Sequence, residues 1–280
     1  MATLDPKLIA LIRDALRRPV DPEKLGQTNP ELNAALAPVV LAAAKRWYRL
    51  EVDGVERVPD GPALVVGNHE SGMTFLEALG WGATCVLDRP QEQWHSLAHD
   101  GIVGLPALGR LLVQIGALRA DPDVADAALA SGAKLAVFPG GNLEAFRAWH
   151  RRDEVDFGGR TGFVKVAIRN GVPIVPVVFH GGHNGVFILR EGRRFVRWTH
   201  LDRLLRVDTW PLMIGLPFGI WFGPMFHLPL PVKVRVRWLD PIPTAHLGRA
   251  AADDPEVLRR VHDEVLAKMQ SAKLELAAGR

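Results

Sequence analysis

Residues 63–77 read ALVVGNHESGMTFLE. Ala63-Leu64-Val65-Val66 carries no polar side chain and follows the turn-forming Pro59-Asp60-Gly61. A wholly apolar run this short, set off by turn residues, predicts a strand buried on both faces. It leads directly into Gly67-Asn68-His69, so an imidazole stands at the mouth of a sheet, where open α/β folds bind ligands. Histidine is also the base whose pKa suits deprotonation of an attacking hydroxyl. Its other ring nitrogen needs a partner to fix tautomer and orientation, and Glu70 and Glu77 are the local carboxylates. Taken alone, a histidine after a strand is more often structural than catalytic.

Outward from this stretch, apolar runs at 84–87, 135–138 and 174–179 predict further strands. Helices are predicted at 124–130, opened by Asp121-Pro122, and at 161–169, ended by Gly171. The alternation argues for an α/β domain with a central, mainly parallel or mixed sheet flanked by helices. Tyr48, Leu50 and Val52 alternate with polar residues as in a half-buried strand, and Val232, Val234, Val236 and Trp238 alternate with basic residues as in a more exposed one. A last helix starts at Asp254-Pro255, with Val257, Leu258, Val261, Val265 and Met269 on one side. Residues 1–47 read as an N-terminal helical region that covers the core or docks on a membrane. Its first helix is amphipathic over 1–18, and its second is interrupted or restarted at Pro38. Residues 48–280 then form one catalytic domain, with no repeat or linker dividing it.

Composition narrows the classes. Of 280 residues, 48% are hydrophobic and 23% charged, which excludes wholesale disorder. A net charge of +3 suits an anionic surface or phosphate-bearing substrate better than nucleic acid. The single Cys85 leaves no internal disulfide to form. Residues 210–231, WPLMIGLPFGIWFGPMFHLPLP, are nearly free of charge but broken by Pro211, Pro217, Pro224 and Pro229. A spanning helix does not tolerate such a series, so this is a buried loop or an exposed lipid-contacting patch.

A second block, Phe138-Pro139-Gly140-Gly141-Asn142-Leu143-Glu144-Ala145-Phe146-Arg147, also follows an apolar strand. Paired glycines let backbone N–H groups approach an oxyanion or phosphate, and the Walker pattern of nucleotide sites is missing. His95, His99 and Asp100 resemble half a metal site on a helix, but no His-Glu-x-x-His or cysteine set accompanies them, so no metal is expected. His180 and His183 are expected to shape a pocket rim. Ser71, Ser96 and Ser131 lack the Gly-x-Ser-x-Gly setting of a serine hydrolase. Residues 193–198 read as an exposed strand or lipid-headgroup contact, not a nucleic-acid patch.

Together the two blocks resemble the glycerolipid and lysophospholipid acyltransferase family, which carries Asn-His at one strand end and Phe-Pro-Glu-Gly at another. Residues 105–119 resemble its middle region, and Gly159-Arg160-Thr161-Gly162 through Val172-Pro173-Ile174-Val175-Pro176 its terminal motif, so the similarity covers 45–240. The usual acid four residues beyond the histidine is replaced by Thr74, and the usual glutamate of the second block by Gly140. Phe-Pro-Gly-Gly-x-x-Glu-Ala looks more like the diacylglycerol acyltransferase branch and its bacterial relatives. Some of these carry the acid eight positions after the histidine, which here is Glu77.

The resemblance implies that His69 deprotonates an acceptor hydroxyl as it attacks a thioester, with Glu77 orienting the ring and Glu70 as the fallback. Asn68, Gly140, Gly141, Asn142 and Glu144 would line the acceptor or oxyanion region. Arg147, Arg160 and Lys165 would meet phosphates of acceptor or carrier. The co-substrate would be acyl-CoA or acyl-carrier protein, with no metal or organic cofactor, and the acceptor a glycerolipid or related lipid. The expected location is the cytoplasmic face of the cell membrane, bound peripherally through 210–231 and the N-terminal helices. A lipid or thioester hydrolase and a non-catalytic lipid-binding relative are the competing readings.

Overall fold

A computed structural model describes residues 5–205 and 207–279 of the chain. Met1 to Leu4 of the expected N-terminal helix therefore lie outside the described residues. The chain opens with α1 (Pro6–Arg17) and α2 (Pro30–Tyr48), then β1 (Glu51–Asp53), β2 (Ala63–Gly67), α3 (Leu76–Asp88) and β3 (Trp94–Ala98). Next come α4 (Asp100–Val103), α5 (Leu108–Gln114), β4 (Ala117–Arg119), α6 (Pro122–Ala130), β5 (Lys134–Val137), α7 (Gly141–Ala145), α8 (Gly162–Asn170) and β6 (Ile174–His180). The remainder is β7 (Phe187–Arg190), α9 (Arg193–Thr199), α10 (Leu201–Leu205), β8 (Leu212–Gly215), β9 (Gly219–Phe222), β10 (Arg235–Trp238) and α11 (Pro255–Ala278).

Seven strands form one mixed sheet in the order β1-β10-β6-β2-β5-β3-β4. β6, β2, β5, β3 and β4 run parallel, while β10 pairs antiparallel with β6. The wholly apolar character of β2 follows from its central place, because each face needs its own set of side chains. Leu64 and Val66 join a core under α6, α8 and α11, and Ala63 and Val65 join one under α2 and α3. The α/β architecture with N-terminal helices agrees with the sequence reading.

Four local expectations need correction. Residues 84–87 are the last turn of α3, not a strand. Gly80 and Gly82, which would ordinarily mark a break before them, are carried inside the helix, and a short apolar run does not by itself distinguish the two periods. Gly80 lets α3 close on α2: a Cβ there would stand 2.5 Å from that of Ala44. α2 runs through Pro38 without a stop. Residues 193–198 lie in a helix, α9. The alternation around β10 is real, but Val234, Val236 and Trp238 are fully buried, because this face packs into a core with Tyr48 of α2 and Trp81 of α3.

β7, β8 and β9 form a separate three-stranded antiparallel sheet. Ile188, Met213 and Trp221 point inward to a cluster with Ala145, Phe146 and Met73. The charge-poor stretch 210–231 is thus a hairpin and its extended continuation. Among the described residues, no helix is long and apolar enough to cross a membrane.

Candidate active site

β6, β2 and β5 are consecutive and parallel, so their C-terminal ends open on one edge of the sheet. The segments leaving those ends meet around His69. Asn68 closes the first corner: its Nδ2 donates to the Phe179 carbonyl at 2.9 Å, and its Oδ1 accepts from the Phe179 N–H at 2.8 Å. The side chain is buried and extends the ladder between β2 and β6. That commitment corrects its expected place in the substrate pocket.

His69 is half-buried between Phe75 and Phe138, with ring centroids 5.5 Å from each. Its Nδ1 lies 3.1 Å from the Glu70 carbonyl oxygen. A carbonyl only accepts, so this contact keeps the ring proton on Nδ1 and leaves a lone pair on Nε2. Among the described residues, Nε2 has no hydrogen-bond partner. Burial lowers the pKa of His69 to about 4, against the pull of the Glu70 carbonyl and carboxylate. The ring is neutral at physiological pH.

Two buried carboxylates anchor the chain at this ring, Glu144 through the His69 N–H and Glu70 through contacts with more distant segments. Glu144 Oε2 accepts the His69 backbone N–H at 3.0 Å, while Oε1 accepts the Asp156 N–H at 3.1 Å and faces Arg147 Nη1 at 3.4 Å. Glu70 Oε1 pairs with Lys273 Nζ at 2.6 Å, and Oε2 accepts the Gly182 N–H at 2.6 Å. All four side chains are 2% exposed or less. Burial pushes the Glu144 carboxyl up and the Lys273 ammonium down, and in each case the partner charges oppose the shift. His69 thus sits between two glutamates, each paired with its own cation.

The second block explains its missing glutamate. Gly140 has an ordinary φ of −65°, so conformation does not demand glycine there. Space does: a Cβ would stand 2.2 Å from Glu144 Cγ and 2.3 Å from its Oε2. Glu144 fills the volume a side chain at position 140 would enter. Gly141 and Asn142 begin α7, half-buried beside this turn. Arg160 braces it from outside, its Nη1 donating to the Pro139 and Gly140 carbonyls at 2.6 and 2.9 Å, and its Nη2 pairing with Asp208 at 2.6 Å.

Other sequence expectations fare differently. Glu77 makes no hydrogen bond to His69 among the described residues. It is buried in the first turn of α3, its Oε2 has no partner, and burial raises its pKa to about 8. The intervening chain takes left-handed backbone conformations at Ser71 (φ 58°) and Phe75 (φ 53°). Thr74, at the family's acidic position, donates instead to the Ser71 carbonyl at 3.0 Å. Arg147 is buried and spent on Glu144 and the Glu154 carbonyl, and Lys165 pairs with Asp253 at 2.7 Å on the outside of α8. Neither is posed for a phosphate. His183 is buried beneath the site rather than on its rim, its Nε2 3.0 Å from the Glu144 carbonyl. His95 lies on β3 and His99 caps α4, so the two do not share a helix. No group of residues that could hold a metal is present among the described residues.

Sequence reasoning missed Lys273. The signal was available: Val265, Met269 and Lys273 follow at steps of four along the buried face of α11, where a lysine stands out. Beside the site, an apolar cavity of about 270 Å³ is lined by Trp47, Thr74, Leu76, Phe226, His227, Leu228 and Pro229.

A neutral histidine with a free Nε2 at parallel strand ends, next to an apolar cavity, is equipped for general-base chemistry on a hydrophobic substrate. The Acyltransferase family profile matches residues 49–180. A protein of Mycobacterium tuberculosis, itself uncharacterised, is 33% identical over 255 residues, covering 90% of this chain and 68% of that one. The chain belongs to the acyltransferase family. A chicken protein named as a DGAT1/2-independent enzyme synthesizing storage lipids is 30% identical over 200 residues, 70% of this chain and 53% of its own length. This chain therefore spans about half of that relative. The crystal structure of the 1-acyl-sn-glycerophosphate (LPA) acyltransferase PlsC from Thermotoga maritima shares the fold, with a TM-score of 0.55 and 18% identity over 96% of this chain and 88% of that one.

Proposed function

We propose that the protein transfers a fatty acyl group from a thioester, acyl-CoA or acyl-carrier protein, to a hydroxyl of a glycerolipid or related lipid, with His69 as general base. The observation that carries this reading is the Nδ1 contact with the Glu70 carbonyl, which leaves Nε2 of a neutral ring as the acceptor for a proton. As the acceptor oxygen attacks the thioester carbonyl, its proton passes to Nε2. The new C–O bond forms, the C–S bond breaks, and the departing sulfur takes the proton back. Glu77 has no part in orienting the ring; the Glu70 carbonyl does this. The Gly140-Gly141-Asn142 turn, steadied by Arg160, lines the acceptor or oxyanion region. The likeness to an enzyme named as synthesizing storage lipids supports a lipid acceptor. The reading includes peripheral binding at the cytoplasmic face of the cell membrane, where a lipid acceptor and a thioester donor would meet.

The test is release of free thiol from acyl-CoA and from acyl-carrier protein, with and without lysophospholipid, monoacylglycerol or diacylglycerol acceptors. Acceptor-dependent release that vanishes in His69→Ala is expected. Fatty acid release without any acceptor would replace this reading with a hydrolase. Full transfer by His69→Ala would remove the base.

A further inference from the structure

The three-stranded sheet is apolar on both faces, and only one of them is covered. Along each strand, alternate residues point to opposite sides. Ile188, Met213 and Trp221 are packed inward, whereas Phe187, Ile214 and Ile220 lie opposite one another across all three strands and are 40%, 36% and 69% exposed. Phe222, in register with Leu212, adds a second outward row at 50% exposure. The β8–β9 turn continues the face with Leu216 and Phe218, at 49% and 59%. Residues 209–232 contain no Asp, Glu, Lys or Arg. Soluble proteins keep such surface small unless something covers it.

Charge gathers at the border instead. Arg190, at the end of β7, and Arg194, Arg197 and Arg203, on α9 and α10, are exposed and have no carboxylate partner among the described residues. α9 is packed against the edge of the sheet, with the Phe195 and Phe222 ring centroids 4.8 Å apart. An uncharged apolar face bordered by unpaired cations complements an anionic bilayer, with apolar side chains in the acyl region and guanidinium groups among the headgroups. The face also connects to the site: Phe226 and Leu228, 46% and 51% exposed, line the cavity that reaches Thr74. The N-terminal helix is spent elsewhere, with Leu8 and Ala15 buried and the Ala15 and Leu16 carbonyls tied to Gln114 and Arg110 of α5.

We infer that the outer face of β7–β9 lies flat on an anionic membrane and that lipid reaches the site through the cleft between Trp47 and residues 226–229. The inference rests on the acyltransferase reading for the purpose of the contact, but the contact is measured without turnover. The full chain is mixed with vesicles of phosphatidylcholine, alone or with phosphatidylglycerol, and sedimented. Binding is expected only to the anionic vesicles, about tenfold or more weaker in Ile220→Glu/Phe222→Glu and similarly in Arg194→Glu/Arg197→Glu. An environment-sensitive dye on Ile220→Cys should shift to the blue with anionic vesicles, while one on Ile9→Cys of α1 stays unchanged. Circular dichroism and an unchanged thermal unfolding transition establish that the variants are folded. Vesicle binding unaffected by the Ile220→Glu/Phe222→Glu change would overturn the inference. So would concentration-dependent dimerisation abolished by that change in a chain that ignores vesicles, which would assign the face to a second copy.

Discussion

Around His69, Glu70, Glu144, Arg147 and Lys273 are each 2% exposed or less, whereas Ile214, Ile220 and Phe222 on the small sheet are between 36% and 69% exposed. One region has charges where oil is the rule, and the other has oil where charges are the rule. Neither arrangement is favourable for folding alone. Removing an ion from water costs several kcal/mol that pairing only partly returns, and exposed apolar surface forgoes about 25 cal/mol per Å². The charged cluster is satisfied internally and fixes the geometry of a base. The apolar face has no internal partner and calls for an external one. An average over composition hides both, since 48% hydrophobic and 23% charged residues is an ordinary balance.

The contrast can be broken experimentally. His69→Ala should lower acyl transfer by about 10²–10⁴-fold with the fold retained, the usual contribution of a general base; steady-state thiol release measures it. Lys273→Met strands Glu70 without its cation and should cost about 3–5 kcal/mol in denaturant unfolding. Glu70→Gln/Lys273→Met should recover much of that loss, because the unpaired charge is gone. A Lys273→Met chain as stable as wild type would mean the buried pair holds nothing.

Titration sharpens the same side. Glu77 has a folded pKa of about 8, above its ordinary 4.5, so the fold binds this proton more tightly than the unfolded chain does. Its favourable contribution is full below the unfolded value and is lost as pH rises through about 8. Glu77→Gln should therefore raise Tm at about pH 9 and leave it nearly unchanged at about pH 4. For His69, with a pKa of about 4, kcat should stay level across neutral pH and fall only as the ring protonates in acid. An acid limb near the ordinary histidine value would show that the ring is better solvated than its packing indicates. On the small sheet, Ile214→Ser or Ile220→Ser should shift stability by less than about 0.5 kcal/mol, because these side chains lose little on truncation in water. A larger loss in calorimetry would mean that the face is covered within the chain.

How much was legible follows from the range of each signal. Strands at 63–66, 135–138 and 174–179 and helices at 124–130 and 161–169 were readable because turn residues frame short runs of one period. Residues 84–87 were not, since nothing in four apolar residues separates a strand from the end of a helix. His69 and the glycine turn were found from their places after strands. Their partners were not, because Glu77 follows from the family's spacing of the acid after the histidine, while the backbone here takes left-handed conformations at Ser71 and Phe75. Glu70, the fallback carboxylate, turns its side chain to Lys273 and Gly182, and it is the carbonyl of the same residue that meets the ring. Lys273 lies 203 residues from Glu70, and only packing of α11 reveals the pair.

Gly140 and Glu144 stand one helical turn apart, yet they compete for a single volume. Two letters four positions apart thus behave as one socket for one carboxylate, plugged from either side but not from both. Gly140→Glu alone should be rejected by collision, whereas Gly140→Glu/Glu144→Ala can return the acid to the same place from the other end of the turn. Read letter by letter, Phe-Pro-Gly-Gly looks like a motif that has lost its acid. In three dimensions it is an anagram.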